Sequence, residues 1–245
     1  MTLSWDDNKK YFKTYILPVH KNIPGFCNYH DVYCNLLQNF KPGAKIAEIG
    51  AFKGKGTCSF LSQLRAFEDL NNITFYAVDT FEGSEEHESE LEEDGTPLIK
   101  QFTNNVTPYA LASKNFTRNN RVGIIQGYSH EIAEVFPEKL DAVFIDAAHD
   151  YDNVMRDLRS WHPHLKEGGY FLGHDYDDDE VKRAVENFCE ENKYEVIRIS
   201  ISSWQILADK YAPRLMKVQP LFKLKNFPEH VIKEIEVALS SLSNT

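Results

Sequence analysis

Two stretches in the second half of the chain, VFIDAAHDYDNVMRDL and GGYFLGHDY, share one design: an apolar run ends in an acid with a histidine close by. They contribute Asp146, His149, His174 and Asp175. Two carboxylates with His174 beside them can hold a hard divalent cation, with waters or substrate oxygens completing an octahedron, and magnesium suits such a set. His149 follows Asp146 by three residues, which places it within reach of a hydroxyl on that cation. A cation lowers the pKa of a bound hydroxyl by several units, as water falls from about 15.7 to about 7, and an imidazole near 6.5 can then take the proton. The chemistry implied is activation of a hydroxyl as a nucleophile. Each residue also has a plainer use. Asp146 could cap a helix that starts near Tyr151, Asp175 could open the acidic run that follows it, and the histidines could be surface or capping groups.

For these residues to meet, the apolar runs before them must be neighbouring parallel strands. Strand-like runs fall at 45–49, 74–78, 122–126, 142–145, 169–173, 194–199 and 204–208, and helical periodicity at 29–39, 57–70, 151–162 and 178–191. This alternation predicts an α/β domain: a seven-stranded, mainly parallel sheet with helices on both faces. The last two runs are too close for a crossover helix and predict an antiparallel hairpin. Asp146 then ends the fourth strand and Asp175 the fifth, both beside the crevice where open α/β sheets bind ligands.

Residues 1–43 read as a helical N-terminal cap, 44–208 as the ligand-binding domain, and 209–245 as a basic linker followed by a helix for packing or homo-oligomer formation. One interruption, EGSEEHESELEED at 82–94, carries eight acids in thirteen positions and cannot be core. It reads as a solvated loop. Because it follows the carboxyl end of the second strand, it could instead be a substrate lid extending to about residue 116. His162 and His164 flank Pro163 and read as a surface loop.

The stretch AKIAEIGAFKGKGT, residues 44–57, gives an apolar strand, an acid, three glycines and then a helix that opens at Thr57. Gly50 and Gly54 allow a tight turn and close approach of a ligand to the backbone. Dinucleotides and S-adenosylmethionine are both bound by such a unit. A short-chain dehydrogenase would also need a tyrosine with a lysine four residues later, and no tyrosine here has that partner. S-Adenosylmethionine fits better: Glu48 ends the first strand and can orient the loop, and Asp79 ends the second and can accept the ribose hydroxyls. Gln126, Gly127 and Ser129 follow the third strand and could meet the adenine, and Asp146 counts with both cofactor and cation. The activated hydroxyl would attack the sulfonium methyl in line.

Composition narrows the partners. With 245 residues and 42% hydrophobic content the chain can bury one sizeable core. A net charge of -10 opposes nonspecific association with nucleic acid or an anionic membrane, which leaves a small hydroxylated acceptor as the expected partner. Cys27, Cys34, Cys58 and Cys189 are scattered without a CxxC pair, as expected of reduced thiols in a cytoplasm, and the sequence contains no apolar signal core.

On the combination FIDAAHDY with a GG-containing strand that ends in HD, the chain resembles the class I S-adenosylmethionine-dependent methyltransferases. Within them it is similar to the metal-dependent sugar O-methyltransferases of the macrocin and mycinamicin type, over about residues 44–208. The resemblance implies a seven-stranded sheet with a reversed final strand, Asp146 and Asp175 as metal ligands, and His149 as base. Their separation of 29 residues fits the family pattern. The family tends to have a second acid where this chain has His174, a change toward a softer or borderline ion. Two alternatives stand beside this reading: a cofactor-binding scaffold without catalysis, and a metal-independent methyltransferase in which Asp146 and Asp175 only shape the pocket.

Overall fold

A computed structural model describes residues 23–64, 67, 69–83, 95–115, 119–211 and 215. The remainder of the N-terminal cap, the acidic stretch 84–94 and almost all of the C-terminal linker and helix lie outside the described residues. The elements in chain order are α1 (His30–Asn39), β1 (Lys45–Ile49), α2 (Lys55–Leu64), β2 (Thr74–Asp79), α3 (Leu98–Asn115), β3 (Arg121–Gln126) and α4 (Ser129–Val135). After them come β4 (Leu140–Ile145), α5 (Tyr151–Trp161), β5 (Leu165–Gly173), α6 (Asp179–Asn192), β6 (Glu195–Arg198) and β7 (Trp204–Leu207).

The strands form one seven-stranded sheet in the order β3-β2-β1-β4-β5-β7-β6. The first five are parallel, and β7 runs antiparallel to both β5 and β6, so the predicted hairpin is present. The continuous apolar character of β1 and β4 follows from coverage on both faces. Ile46, Phe144 and Leu172 point into one core with Val32, Phe60 and Phe102 from α1, α2 and α3. Ala47, Ile49, Val143 and Phe171 alternate to the other side, where Ala133, Leu158 and Val185 from α4, α5 and α6 meet them.

Helix starts are set by the acids next to the site, although not by the site acids themselves. Asp150 caps α5 by accepting from the Asn153 amide at 3.1 Å, and Asp178 caps α6 by accepting from the amides of Glu180 and Val181. Asp146 and Asp175 are therefore not consumed as caps. Two stretches depart from the sequence reading. Residues 98–115, expected in a loop or lid, form α3, whose Leu98, Phe102 and Val106 are buried in the core. His162 and His164 lie in a 3-10 turn rather than a free loop. His162 packs against Phe188 at a ring separation of 5.5 Å, and His164 Nε2 is 2.8 Å from the Ala133 carbonyl.

Candidate active site

The strand order reverses between β1 and β4, and the crevice beyond their carboxyl ends is the cavity of the site. It measures about 240 Å³ and is lined by Glu48, Gly50, Lys53, Asp146, His149, His174 and Asp175, with Phe26 and Tyr29 from the segment before α1. The residue after each strand prolongs the sheet's ladder: the Gly50 amide donates to Val78, that of Asp146 to Ile49, and that of His174 to Ile145, at 2.8–3.0 Å. Gly50, Asp146 and His174 are thus pinned by the sheet, while His149 and Asp175 lie in the connections beyond it.

Gly50 and Gly54 both take positive φ in the turn after β1. Gly50 has φ +90°, and a Cβ there would lie 2.0 Å from the Asp146 carbonyl oxygen. Gly54 serves packing instead: its Cβ would meet Val106 at 2.6 Å, so it lets α3 close on the turn. Glu48 is buried, its Oε1 accepting from the Tyr33 hydroxyl at 2.6 Å and its Oε2 from the Thr57 hydroxyl at 2.5 Å. Burial pushes its pKa up to about 8 against the lowering effect of those two bonds, with Asp146 and Asp79 adding to the rise. Asp79 Oδ2 accepts from the amides of Ala51 and Phe52 at 2.7 and 2.8 Å, and Oδ1 from Phe81 at 2.7 Å. Three of its four lone-pair positions are filled by backbone, which leaves capacity for one further donor.

The residues after β3 lie apart from the cavity lining. Gln126 donates to the Thr80 carbonyl at 3.1 Å, the Gly127 amide donates to the Asp79 backbone carbonyl, and the Ser129 hydroxyl bonds the Asp157 carboxylate.

The second cluster is tighter. One ligand atom each from Asp146, His174 and Asp175 lies within 4.8 Å of the others. His174 Nδ1 is 2.9 Å from Asp175 Oδ1 and 3.4 Å from Asp146 Oδ1, and His149 Nε2 is 3.1 Å from Asp175 Oδ2. Burial acts to lower the His174 pKa, but the bonds to Asp146 and Asp175 raise it to about 9. Burial likewise acts to raise Asp175, and its contacts with His149 and His174 hold it well below the usual carboxylate range. Asp175 sits at φ 55°, the left-handed region that aspartate tolerates better than most residues and that is enriched at functional sites.

Four contributors were not legible as site residues in the sequence. The Tyr29 hydroxyl donates to Asp146 Oδ2 at 2.7 Å, and Asn28 Oδ1 is 2.5 Å from His174 Nε2. The Trp204 indole donates to the His174 carbonyl at 2.8 Å. Lys53, 2% exposed, lines the cavity from inside the glycine turn. Only Lys53 carried a local signal, a basic residue within a ligand-binding turn.

A sheet in this order, with a glycine turn after β1 and acids at the carboxyl ends of β1 and β2, defines the class I S-adenosylmethionine-dependent methyltransferases. The chain belongs to a family described as a methyltransferase domain, whose profile matches residues 47–176. Among solved structures, the O-methyltransferase NovP is similar with a TM-score of 0.51 and 19% identity, over 73% of this chain and 77% of that one. CalS11, a TDP-rhamnose 3'-O-methyltransferase of calicheamicin biosynthesis, gives 0.53 and 13% over 85% and 97%. An O-methyltransferase from Bacillus cereus in complex with S-adenosylhomocysteine gives 0.52 and 14% over 82% and 91%. An uncharacterized protein of Acanthamoeba polyphaga mimivirus is 26% identical over 150 residues, 59% of this chain and 57% of that relative's length. Among the described residues, no helix is long and apolar enough to cross a membrane.

The residues present fit the cofactor. A turn with no room for a Cβ at Gly50 brings bare backbone to the cavity, and the acids Glu48 and Asp146 with the ammonium of Lys53 complement a ligand bearing sulfonium, ammonium and carboxylate groups. They also fit a divalent cation, since three donors converge and Tyr29 already holds the outer oxygen of Asp146.

Proposed function

We propose that the chain transfers the methyl group of S-adenosylmethionine to a hydroxyl oxygen of a small molecule, with a sugar or glycoside as the leading acceptor. In this reading a divalent cation is held by Asp146, His174 and Asp175, and His149 is the general base. The observation that carries it is the convergence of those three donors within 4.8 Å, with the His149 imidazole 3.1 Å from the same Asp175 carboxylate. S-Adenosylmethionine supplies an electrophilic methyl on a sulfonium. A bound divalent cation supplies Lewis acidity that lowers the pKa of an acceptor hydroxyl toward that of imidazole.

The chain's own residues do the rest. With Nε2–H donated to Asp175, His149 Nδ1 is the nitrogen that accepts the acceptor's proton, and the carboxylate stabilises the imidazolium formed. Tyr29 holds Asp146 Oδ2, leaving Oδ1, on the His174 side, as the atom that would bind a cation. Glu48 and Asp79 fix the turn that orients the methyl donor, and arrival of the donor's positive charges favours the ionised form of Glu48. Gln126, which ends β3, and Gly127 and Ser129 after it are the residues that would meet the adenine. The sugar acceptor is supported by the FIDAAHDY motif and by the activity CalS11 carries in its name.

The test is transfer of labelled methyl to a set of sugars and nucleotide sugars, with and without EDTA, beside calorimetry of S-adenosylhomocysteine. Binding that survives EDTA and transfer that requires added divalent ion are the expected results. Full transfer in EDTA overturns the cation's role.

A further inference from the structure

The imidazole in the ligand set is locked from every side. His174 is 3% exposed, its amide donates to Ile145 at 3.0 Å, and its carbonyl accepts from the Trp204 indole at 2.8 Å. Its ring packs against Tyr29 at 4.9 Å and Phe26 at 6.2 Å between centroids. Asn28 Oδ1 lies 2.5 Å from Nε2, so that nitrogen keeps its hydrogen, and Nδ1, facing both carboxylates, is the one that can exchange its proton for a metal. A ring held in this way cannot swing aside to leave an all-oxygen site.

Magnesium takes oxygen ligands in near-ideal octahedral geometry and dehydrates reluctantly, whereas imidazole suits first-row transition ions. We propose that the cation centre is a mixed oxygen and nitrogen site that selects a borderline first-row ion over magnesium, with Asn28 as the positioning residue that makes His174 a ligand through Nδ1. The inference rests on the cation-assisted reading above and departs from the magnesium that the two carboxylates alone suggest.

Binding distinguishes the two. Full-length protein stripped with chelator is titrated with Co²⁺ and with Mg²⁺ by calorimetry, S-adenosylhomocysteine binding serving as the check on folding. Wild type should bind Co²⁺ roughly 100-fold more tightly than Mg²⁺, and pulsed electron paramagnetic resonance of the Mn²⁺-loaded protein should show coupling to a ligand nitrogen. His174→Asp should lower the Co²⁺ to Mg²⁺ preference about tenfold or more, and Asn28→Ala should weaken Co²⁺ about tenfold with Mg²⁺ little changed. Asn28→Asp, which keeps an acceptor for Nε2–H, should restore Co²⁺ binding. Equal affinity for the two ions, or no nitrogen coupling in the wild type, overturns the selectivity and leaves the cation-assisted reading standing. Co²⁺ affinity unmoved by Asn28→Ala overturns the positioning role. Failure of the folded, cofactor-competent protein to bind either ion overturns both readings.

Discussion

Four acids end four strands of one sheet, yet they divide into two kinds. Glu48 and Asp79, after β1 and β2, have protein donors on both oxygens: hydroxyls of Tyr33 and Thr57 for the first, amides of Ala51, Phe52 and Phe81 for the second. Asp146 and Asp175, after β4 and β5, face His174 and His149, groups that can give up a proton or exchange it for a metal. The first pair is satisfied by hydroxyl and amide donors, and the second is paired with imidazoles. Position in the fold does not decide which; the partner does.

The sharpest way to break this contrast is at Asp146. Asp146→Asn removes a proposed ligand while keeping the acceptor of the Tyr29 hydroxyl, and methyl transfer should fall about a thousandfold with S-adenosylhomocysteine affinity within a few-fold of wild type. Equal loss of both would place Asp146 with the structural pair. His149→Ala should slow turnover roughly a hundredfold and leave cofactor affinity nearly unchanged in the same two measurements.

On the other side, Asp79→Ala strands the Ala51 and Phe52 amides of the glycine turn and the Phe81 amide after β2, and should cost about 2 kcal/mol in urea denaturation, with a parallel loss of cofactor affinity. The smallest effect is a slope. Burial raises Glu48 from 4.5 to about 8, so between those values the folded protein holds a proton that the unfolded chain has released. The stabilisation is full below pH 4.5 and is lost as pH rises through about 8. Glu48→Gln should flatten the fall of Tm across that window, and a wild-type slope retained in the variant would assign the titration to another group.

Much of this was readable beforehand because it is local. Lys45–Ile49 and Leu140–Ile145 are apolar runs bounded by turn residues, and Gly50 is demanded by a left-handed turn against the Asp146 backbone. The start of β5 at Leu165 was hidden by Gly168 and Gly169, which read as a boundary. They instead form an irregularity in which Gly168 takes φ +73° and donates to Lys210. Helix α3 was obscured by Pro108 and by the acidic run before it. Tyr29 and Asn28 were beyond sequence reasoning, since their partners lie 117 and 146 residues away and nothing in FCNYHD announces them. His174 shows the reverse: its place was legible, and its locked ring was not.

The ladder bonds that carry Gly50, Asp146 and His174 one step past their strands turn the sheet into a ruler. Neighbouring strands lie ~4.8 Å apart, so the glycine turn, Asp146 and His174 are spaced by hydrogen-bond geometry that no loop can renegotiate. Segments that do not carry the cavity-lining residues, His149 and Asp175 among them, can be lengthened, shortened or exchanged while that spacing stays put. For redesign, the sheet is the part to leave untouched, and the segment before α1, which brings Gly25 and Phe26 to the cavity, is where a new substrate would be written in.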